Sequence, residues 1–194
     1  MLKVAAITNH ELASTNYWDQ LEQIAASDVD FIVLREKNLS EEEYTDYAKR
    51  ALRSIHQKTC ILQHFGKAAI RLHIPRFQCS LPYLETHSSL LYYMTTLGVS
   101  VHTVEEAVKA EQLGATYLMA SHVFPTACKP SDPPIGVDTV EAICKAVKIP
   151  VYALGGVTPK TISQLQDVPI KGVALMSGLM TCPDVPGYLK ELRA

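Results

Sequence analysis

Tyr117-Leu118-Met119-Ala120-Ser121-His122-Val123-Phe124-Pro125-Thr126-Ala127-Cys128-Lys129 reads as an apolar strand that ends in serine and histidine and opens into a loop carrying a lysine. Strand ends followed by loops are where parallel α/β proteins keep their chemistry. Two later segments repeat the idea. Val151-Tyr152-Ala153-Leu154-Gly155-Gly156-Val157-Thr158-Pro159 reads as a strand, a Gly-Gly turn and a helix start. Gly172-Val173-Ala174-Leu175-Met176-Ser177-Gly178 reads as a strand closing on Ser-Gly.

Outward from these segments, short β-branched runs alternate with helical patterns along the whole chain. Strands are expected at Val4–Ile7, Phe31–Leu34, Cys60–Gln63, Arg76–Cys79, Gly98–His102, Tyr117–Ala120, Val151–Leu154 and Val173–Met176. Helices are expected at Trp18–Ala26, Glu41–His56, Lys67–Leu72, Val104–Leu113, Val137–Val147, Pro159–Leu165 and Val185–Leu192, with an ill-defined stretch near Leu84–Tyr93. Ser40-Glu41-Glu42-Glu43 and Thr103-Val104-Glu105-Glu106 fit the capping box, and Thr158-Pro159 places a cap residue before proline at a first helical position. Strands alternating with helices imply parallel pairing with crossovers. Eight such units point to one compact single-domain α/β protein over residues 1–194, a (β/α)8 TIM barrel. The length is short, because such barrels typically need about 250 residues. A flavodoxin-like open sheet is the alternative, and it normally uses about five strands.

Composition narrows the function. The chain has 194 residues, 47% hydrophobic and 20% charged, with a net charge of −2. That leaves no basic footprint for nucleic acid and no Lys/Arg run for an anionic membrane. No apolar stretch approaches the roughly 18 residues of a membrane span, and the N-terminus is too briefly apolar for a signal peptide. Five cysteines, an odd count without a C-x-x-C pair, read as reduced thiols in a cytoplasmic protein. The seven histidines show no metal-ligand spacing, so no metal site is expected. Without a P-loop or G-x-G-x-x-G, no nucleotide cofactor is expected either.

The polar strand ends carry the chemistry. Glycine at a strand-to-helix turn lets backbone N–H groups approach an anion, so Gly155-Gly156 and Ser177-Gly178 are candidate phosphate-binding turns. These follow strands seven and eight, where barrels commonly hold phosphate. Glycines also make tight turns for packing alone. His122 ends strand six, and imidazole titrates where proton transfer near neutrality needs it; His102 ends strand five on the same face. Arg35-Glu36-Lys37 closes strand two, and three charges there must face solvent or a polar cavity. Arg35, Lys37 and Lys129 are candidates to hold a carboxylate or phosphate.

Together, Val4–Thr8, Leu34–Lys37, Val99–Ala107, His122–Thr126, Ala153–Pro159 and Val173–Gly178 resemble the thiamine-phosphate-synthase superfamily across nearly the whole chain. The resemblance implies a (β/α)8 barrel that binds phosphate at its Gly-Gly and Ser-Gly turns. One branch couples a pyrimidine diphosphate to a thiazole phosphate with Mg²⁺, using an Asn-Asp-Arg motif after strand three and an Asp after strand four. Here those regions read Leu62-Gln63-His64-Phe65-Gly66-Lys67-Ala68 and Phe77-Gln78-Cys79-Ser80-Leu81-Pro82, with no carboxylate. The other branch, thiazole tautomerase, is similar to this chain in lacking those acids and in placing His before Val-Phe. It implies aromatisation of a phosphorylated thiazole carboxylate, with His122 as catalytic residue and no cofactor. Coupling synthase, a non-catalytic thiazole or thiamine phosphate binder and a sugar-phosphate epimerase are the alternatives. Assembly into a homo-oligomer is left open by the sequence.

Overall fold

The computed structural model describes residues 2–194. Eight parallel strands close on themselves in sequence order: β1 (Lys3–Ile7), β2 (Phe31–Leu34), β3 (Cys60–Gln63), β4 (Arg76–Ser80), β5 (Thr96–Val101), β6 (Tyr117–Ser121), β7 (Val151–Leu154) and β8 (Gly172–Leu175). Closure is made by β8 on β1, with Val4 opposite Val173. The fold is therefore the compact (β/α)8 barrel, and each expected strand is present within two residues at either end.

Strand alternation divides the apolar residues into two cores. Val4, Ala6, Ile32, Leu34, Cys60, Leu62, Val99, Leu118 and Ala153 point outward and pack under the helices. Ala5, Ile7, Val33, Ile61, Tyr117, Met119, Tyr152 and Ala174 point inward and fill the barrel. At the end of the barrel where the strands start, Phe31, Tyr117 and Tyr152 meet edge-on, their ring centroids 5.3–5.8 Å apart. Gly98 on β5 makes room for that plug, since a Cβ there would lie 2.1 Å from Tyr117 Cζ and 2.0 Å from Gln78 Oε1.

The outer layer comprises α1 (Tyr17–Ala26), α2 (Glu41–Ala51), α3 (Gly66–Arg71), α4 (Leu81–Thr86), α5 (Val104–Gln112), α6 (Gly136–Ala146), α7 (Ser177–Met180) and α8 (Val185–Leu192). Several expectations need correcting. Helix α2 stops at Ala51 rather than His56, because the chain turns to bury Ile55 ahead of β3. The ill-defined stretch resolves into α4, capped by Ser80, and a 3-10 turn at Ser88–Tyr92. No α-helix begins at Pro159: only a 3-10 turn at Ile162–Leu165 joins β7 to β8. There the Thr161 hydroxyl accepts from Thr158 N (2.9 Å) and donates to Gly156 O (3.0 Å), so Thr158 does not act as a helix cap. These economies fit eight units into a short chain.

Ser40 and Glu43 form the reciprocal capping box. At Thr103 only half of one forms. Thr103 Oγ1 accepts from Glu106 N, but the Glu106 carboxylate reaches past the cap to His102 N (2.6 Å) and His102 Nδ1 (3.2 Å).

Gly98→Ala must displace either the Tyr117 ring or the Gln78 amide. A loss of about 1–3 kcal/mol is expected, the usual cost of overpacking a filled core, read as a lower urea midpoint at unchanged slope.

Candidate active site

Directly above the inward-facing core, at the carboxyl ends of the strands, lies a cavity of about 730 Å³. Arg35, Lys37, His102, His122, Lys129, Gly155, Gly156, Ser177 and Gly178 all line it, so every residue singled out from the sequence reaches one chamber.

His122 is 3% exposed, on the loop that leaves β6. Its backbone is fixed through His122 O, which accepts from Ile135 N (2.9 Å), and through Val123 N, which donates to Leu154 O (2.9 Å). Nε2 is enclosed without a partner among the described residues, and the residue lines the cavity.

The Gly-Gly turn is bound to this loop by contact. Gly155 (φ +95°) and Gly156 (φ +68°) adopt left-handed backbone. A Cβ on Gly155 would lie 2.2 Å from His122 Cβ, and one on Gly156 would lie 2.6 Å from Phe124 Cβ. The packing explanation for these glycines therefore holds. The same turns also leave amides free: the backbone N–H groups of Gly156, Val157, Ser177 and Gly178 find no acceptor among the described residues, and all four residues line the cavity. Unpaired N–H groups gathered at a concave wall are what an anionic oxygen requires.

The opposite requirement, fixed cations, is met at the end of β2. In the loop that follows β2, Arg35 and Lys37 line the cavity while Glu36 does not, its buried carboxylate accepting instead from His10 N (2.8 Å). Burial pushes the Glu36 carboxyl up from its ordinary range against that hydrogen bond. Burial, then the charges of Arg35 and Lys129, lowers the Lys37 ammonium from its ordinary value. The three cations thus share one field. Lys129 has Asp132 at 3.8 Å in solvent, whereas Arg35 and Lys37 have no carboxylate within ion-pair distance among the described residues. His102 lies at the half-exposed rim, held by Glu106.

Residues with no obvious sequence signal fix this wall. Arg35 N donates to Thr8 Oγ1 (3.0 Å), and Thr8 is fully buried. Tyr44 of α2, also fully buried, donates to Leu34 O (2.6 Å) and accepts from Gln63 N (3.0 Å), tying the ends of β2 and β3 together. Gln63, His64, Gln78 and Ser100 add further polar groups to the chamber, with Gln78 Nε2 donating to Ser100 Oγ (3.0 Å).

The cavity wall contains no aspartate or glutamate. Among the described residues no group of three His, Cys, Asp or Glu side chains is placed to hold a metal ion. A hard cation bridging a diphosphate takes oxygen ligands, mostly carboxylates, so these residues do not fit one. Nor is any helix of the described residues long and apolar enough to cross a membrane.

A closed parallel barrel with a cavity of cations and unpaired amides above its strand ends is the arrangement of a small-molecule (β/α)8 enzyme. Residues 4–179 match the family model TMP-TENI, thiamine monophosphate synthase. The chain belongs to that family, one of thiamine biosynthesis. It is 32% identical to thiamine-phosphate synthase 2 of Streptococcus pneumoniae over 98% of this chain and 95% of the relative. A thiamine-phosphate synthase of Clostridium tetani is 28% identical, covering 89% of this chain and 84% of its own. Among solved structures, thiamine phosphate pyrophosphorylase from Pyrococcus furiosus superimposes with a TM-score of 0.81 at 26% identity, covering 99% and 94% of the two chains.

Two outcomes are expected from this geometry. Gly155→Ala combines a disfavoured left-handed alanine with a clash at His122, so it should cost about 2 kcal/mol or more and shift the His122 ring resonances in an NMR spectrum. Burial pushes the Cys60 and Cys79 thiols up to about 12, while Cys128 is exposed on the cavity loop. Iodoacetamide at mildly alkaline pH should therefore modify Cys128 in the folded protein and spare Cys60 and Cys79 until it unfolds, as peptide mass mapping would read.

Proposed function

We propose that the protein is a thiazole tautomerase, which aromatises a phosphorylated thiazole carboxylate bearing an exocyclic double bond. The observation that carries this reading is a cavity wall with one enclosed histidine, three cations and no carboxylate. Such a wall suits an anionic substrate and a proton transfer. It lacks the ligands that a metal-bridged diphosphate would take.

The four unpaired N–H groups of Gly156, Val157, Ser177 and Gly178 receive the phosphate. Arg35, Lys37 and Lys129 receive the carboxylate, and their field stabilises the charge that develops as the proton leaves the adjoining ring carbon. With the ring proton on enclosed Nε2, Nδ1 offers its lone pair to the cavity as the base. The C–H bond at the carboxylate-bearing carbon breaks and its proton passes to Nδ1. The ring electrons shift toward the exocyclic carbon, which then takes a proton, leaving an aromatic product and a neutral imidazole. No oxidant or leaving group is involved, and holding the ring against one acid–base group is the main requirement.

One observation favours a second reading, coupling to thiamine phosphate. The Streptococcus pneumoniae relative, aligned over nearly the whole chain, is named for that reaction. A paired assay separates the two. Purified protein should accelerate aromatisation, followed by ultraviolet absorbance, and His122→Ala should lower kcat by about 100-fold or more, the scale of general acid–base catalysis. Pyrimidine diphosphate, thiazole phosphate and Mg²⁺ should give no thiamine phosphate. Thiamine phosphate without faster aromatisation would overturn the tautomerase reading in favour of coupling. Binding of the thiazole phosphate with neither activity would point to a non-catalytic binder.

A further inference from the structure

Gln20 is a polar residue where an apolar one belongs. The inner face of α1 is formed by Tyr17, Gln20, Leu21 and Ile24 at helical spacing, and Gln20 is fully buried. An amide taken out of water there costs several kcal/mol on apolar transfer scales unless it is hydrogen-bonded. Its two donors are used and its acceptor is not. Nε2 donates to Leu179 O (2.6 Å) and Cys182 O (2.9 Å), while Oε1 has no partner. What the side chain contributes is therefore its N–H groups. Both acceptors lie about 160 residues away in the sequence, on the segment that follows the Ser177-Gly178 turn.

That segment cannot hold its own shape. Helix α7 is a single turn, and an isolated turn fixes several dihedrals for one or two hydrogen bonds. Its last carbonyls have no intrahelical partners. Inside the turn, Met176 O accepts from Leu179 N and Met180 N, and Ser177 O accepts from Thr181 N. The Leu179 and Cys182 carbonyls go to Gln20, and the Thr181 carbonyl accepts from Ser14 Oγ (3.2 Å), just ahead of α1. Carbonyls on one side of the turn are thus held toward α1. The N–H groups of Ser177 and Gly178, on the cavity side, are left unpaired.

We propose that Gln20 is a positioning residue for phosphate recognition. It acts from outside the barrel, through backbone carbonyls, to keep the Ser177-Gly178 N–H groups set for the substrate phosphate. The proposal rests on the phosphate-binding role given above to that turn, but not on which reaction follows.

Inorganic phosphate is the probe, titrated by calorimetry, with steady-state kinetics of the phosphorylated thiazole alongside. Gln20→Met keeps the length and removes both donors. It should weaken phosphate binding about tenfold, the loss expected from one or two net hydrogen bonds. KM should rise in the same proportion, with kcat within about threefold of wild type. Ile24→Val, on the same buried face, should lower thermal stability and leave phosphate affinity unchanged, which separates positioning from general loosening. If Gln20→Met does not fold, the exposed Ser14→Ala decides: roughly threefold weaker phosphate binding supports the proposal, and unchanged binding overturns it. Wild-type phosphate affinity in Gln20→Met overturns it outright, as does a wild-type protein that binds no phosphate. Failure of the tautomerase reading would show in the aromatisation assay instead, with phosphate binding intact.

Discussion

The approach of the Gly155 backbone to His122 is the constraint on which the rest of the site depends. Two loops from adjacent strands meet with no room for a methyl group: a Cβ on Gly155 would lie 2.2 Å from His122 Cβ and 2.9 Å from its Cα. Phe124 N donates to Gly155 O (3.0 Å), and the ladder between β6 and β7 runs up to Ser121 opposite Leu154, immediately below the contact. The imidazole therefore cannot back away from the cavity, and the Gly-Gly turn cannot swing without moving it. One pair of glycines fixes the histidine and frees two amides for an anion. The packing and recognition roles of such a turn are the same geometry described from its two sides.

Charge is arranged around that fixed point by the loop that follows β2. Arg35 and Lys37 line the cavity, and Glu36 between them is held at the His10 backbone. Glu106 is likewise committed to the His102 backbone and ring at the rim. These two acidic groups are thus engaged elsewhere, and although Lys129 has Asp132 nearby, Arg35 and Lys37 keep no carboxylate partner among the described residues, which leaves the chamber wall with a net positive field. In a partly enclosed cavity such a field is screened less than on an open surface, which suits a ligand carrying both a phosphate and a carboxylate. It also makes the chamber a poor host for a divalent cation.

How much of this was legible in the sequence depends on the range of the forces involved. The strands could be read because an inward-and-outward barrel strand is apolar on both faces, and Val151–Leu154 or Phe31–Leu34 can hardly be anything else. The site residues could be read because strand ends in a parallel barrel converge wherever they lie in the sequence. Helix ends and the β7–β8 connection could not, since there the Thr161 hydroxyl takes the Thr158 N–H and the chain closes a 3-10 turn instead of starting a helix. Tyr44 and Gln20 were out of reach for a different reason. Each hydrogen-bonds the backbone of another element, and backbone carries no sequence signal. Their only trace was a polar group on the buried face of an amphipathic helix.

That trace has a general physical basis. A (β/α)8 barrel places its chemistry on loops, which are the least internally stabilised parts of the fold, while the apolar cores that supply stability lie below and outside them. Something must carry rigidity from those cores to the loops. In this protein it is carried by buried hydroxyl and amide groups from the first two helices and from the residue that follows β1: Thr8 to Arg35, Tyr44 to the ends of β2 and β3, and Gln20 to the turn after β8. Each occupies a place where a leucine would contribute more burial and no direction. Apolar contact can hold a loop close to the barrel, but only a directional bond fixes which way its peptide planes face. The Ser177-Gly178 turn and the cation wall both line the cavity, and their backbone is where the buried polar groups are found.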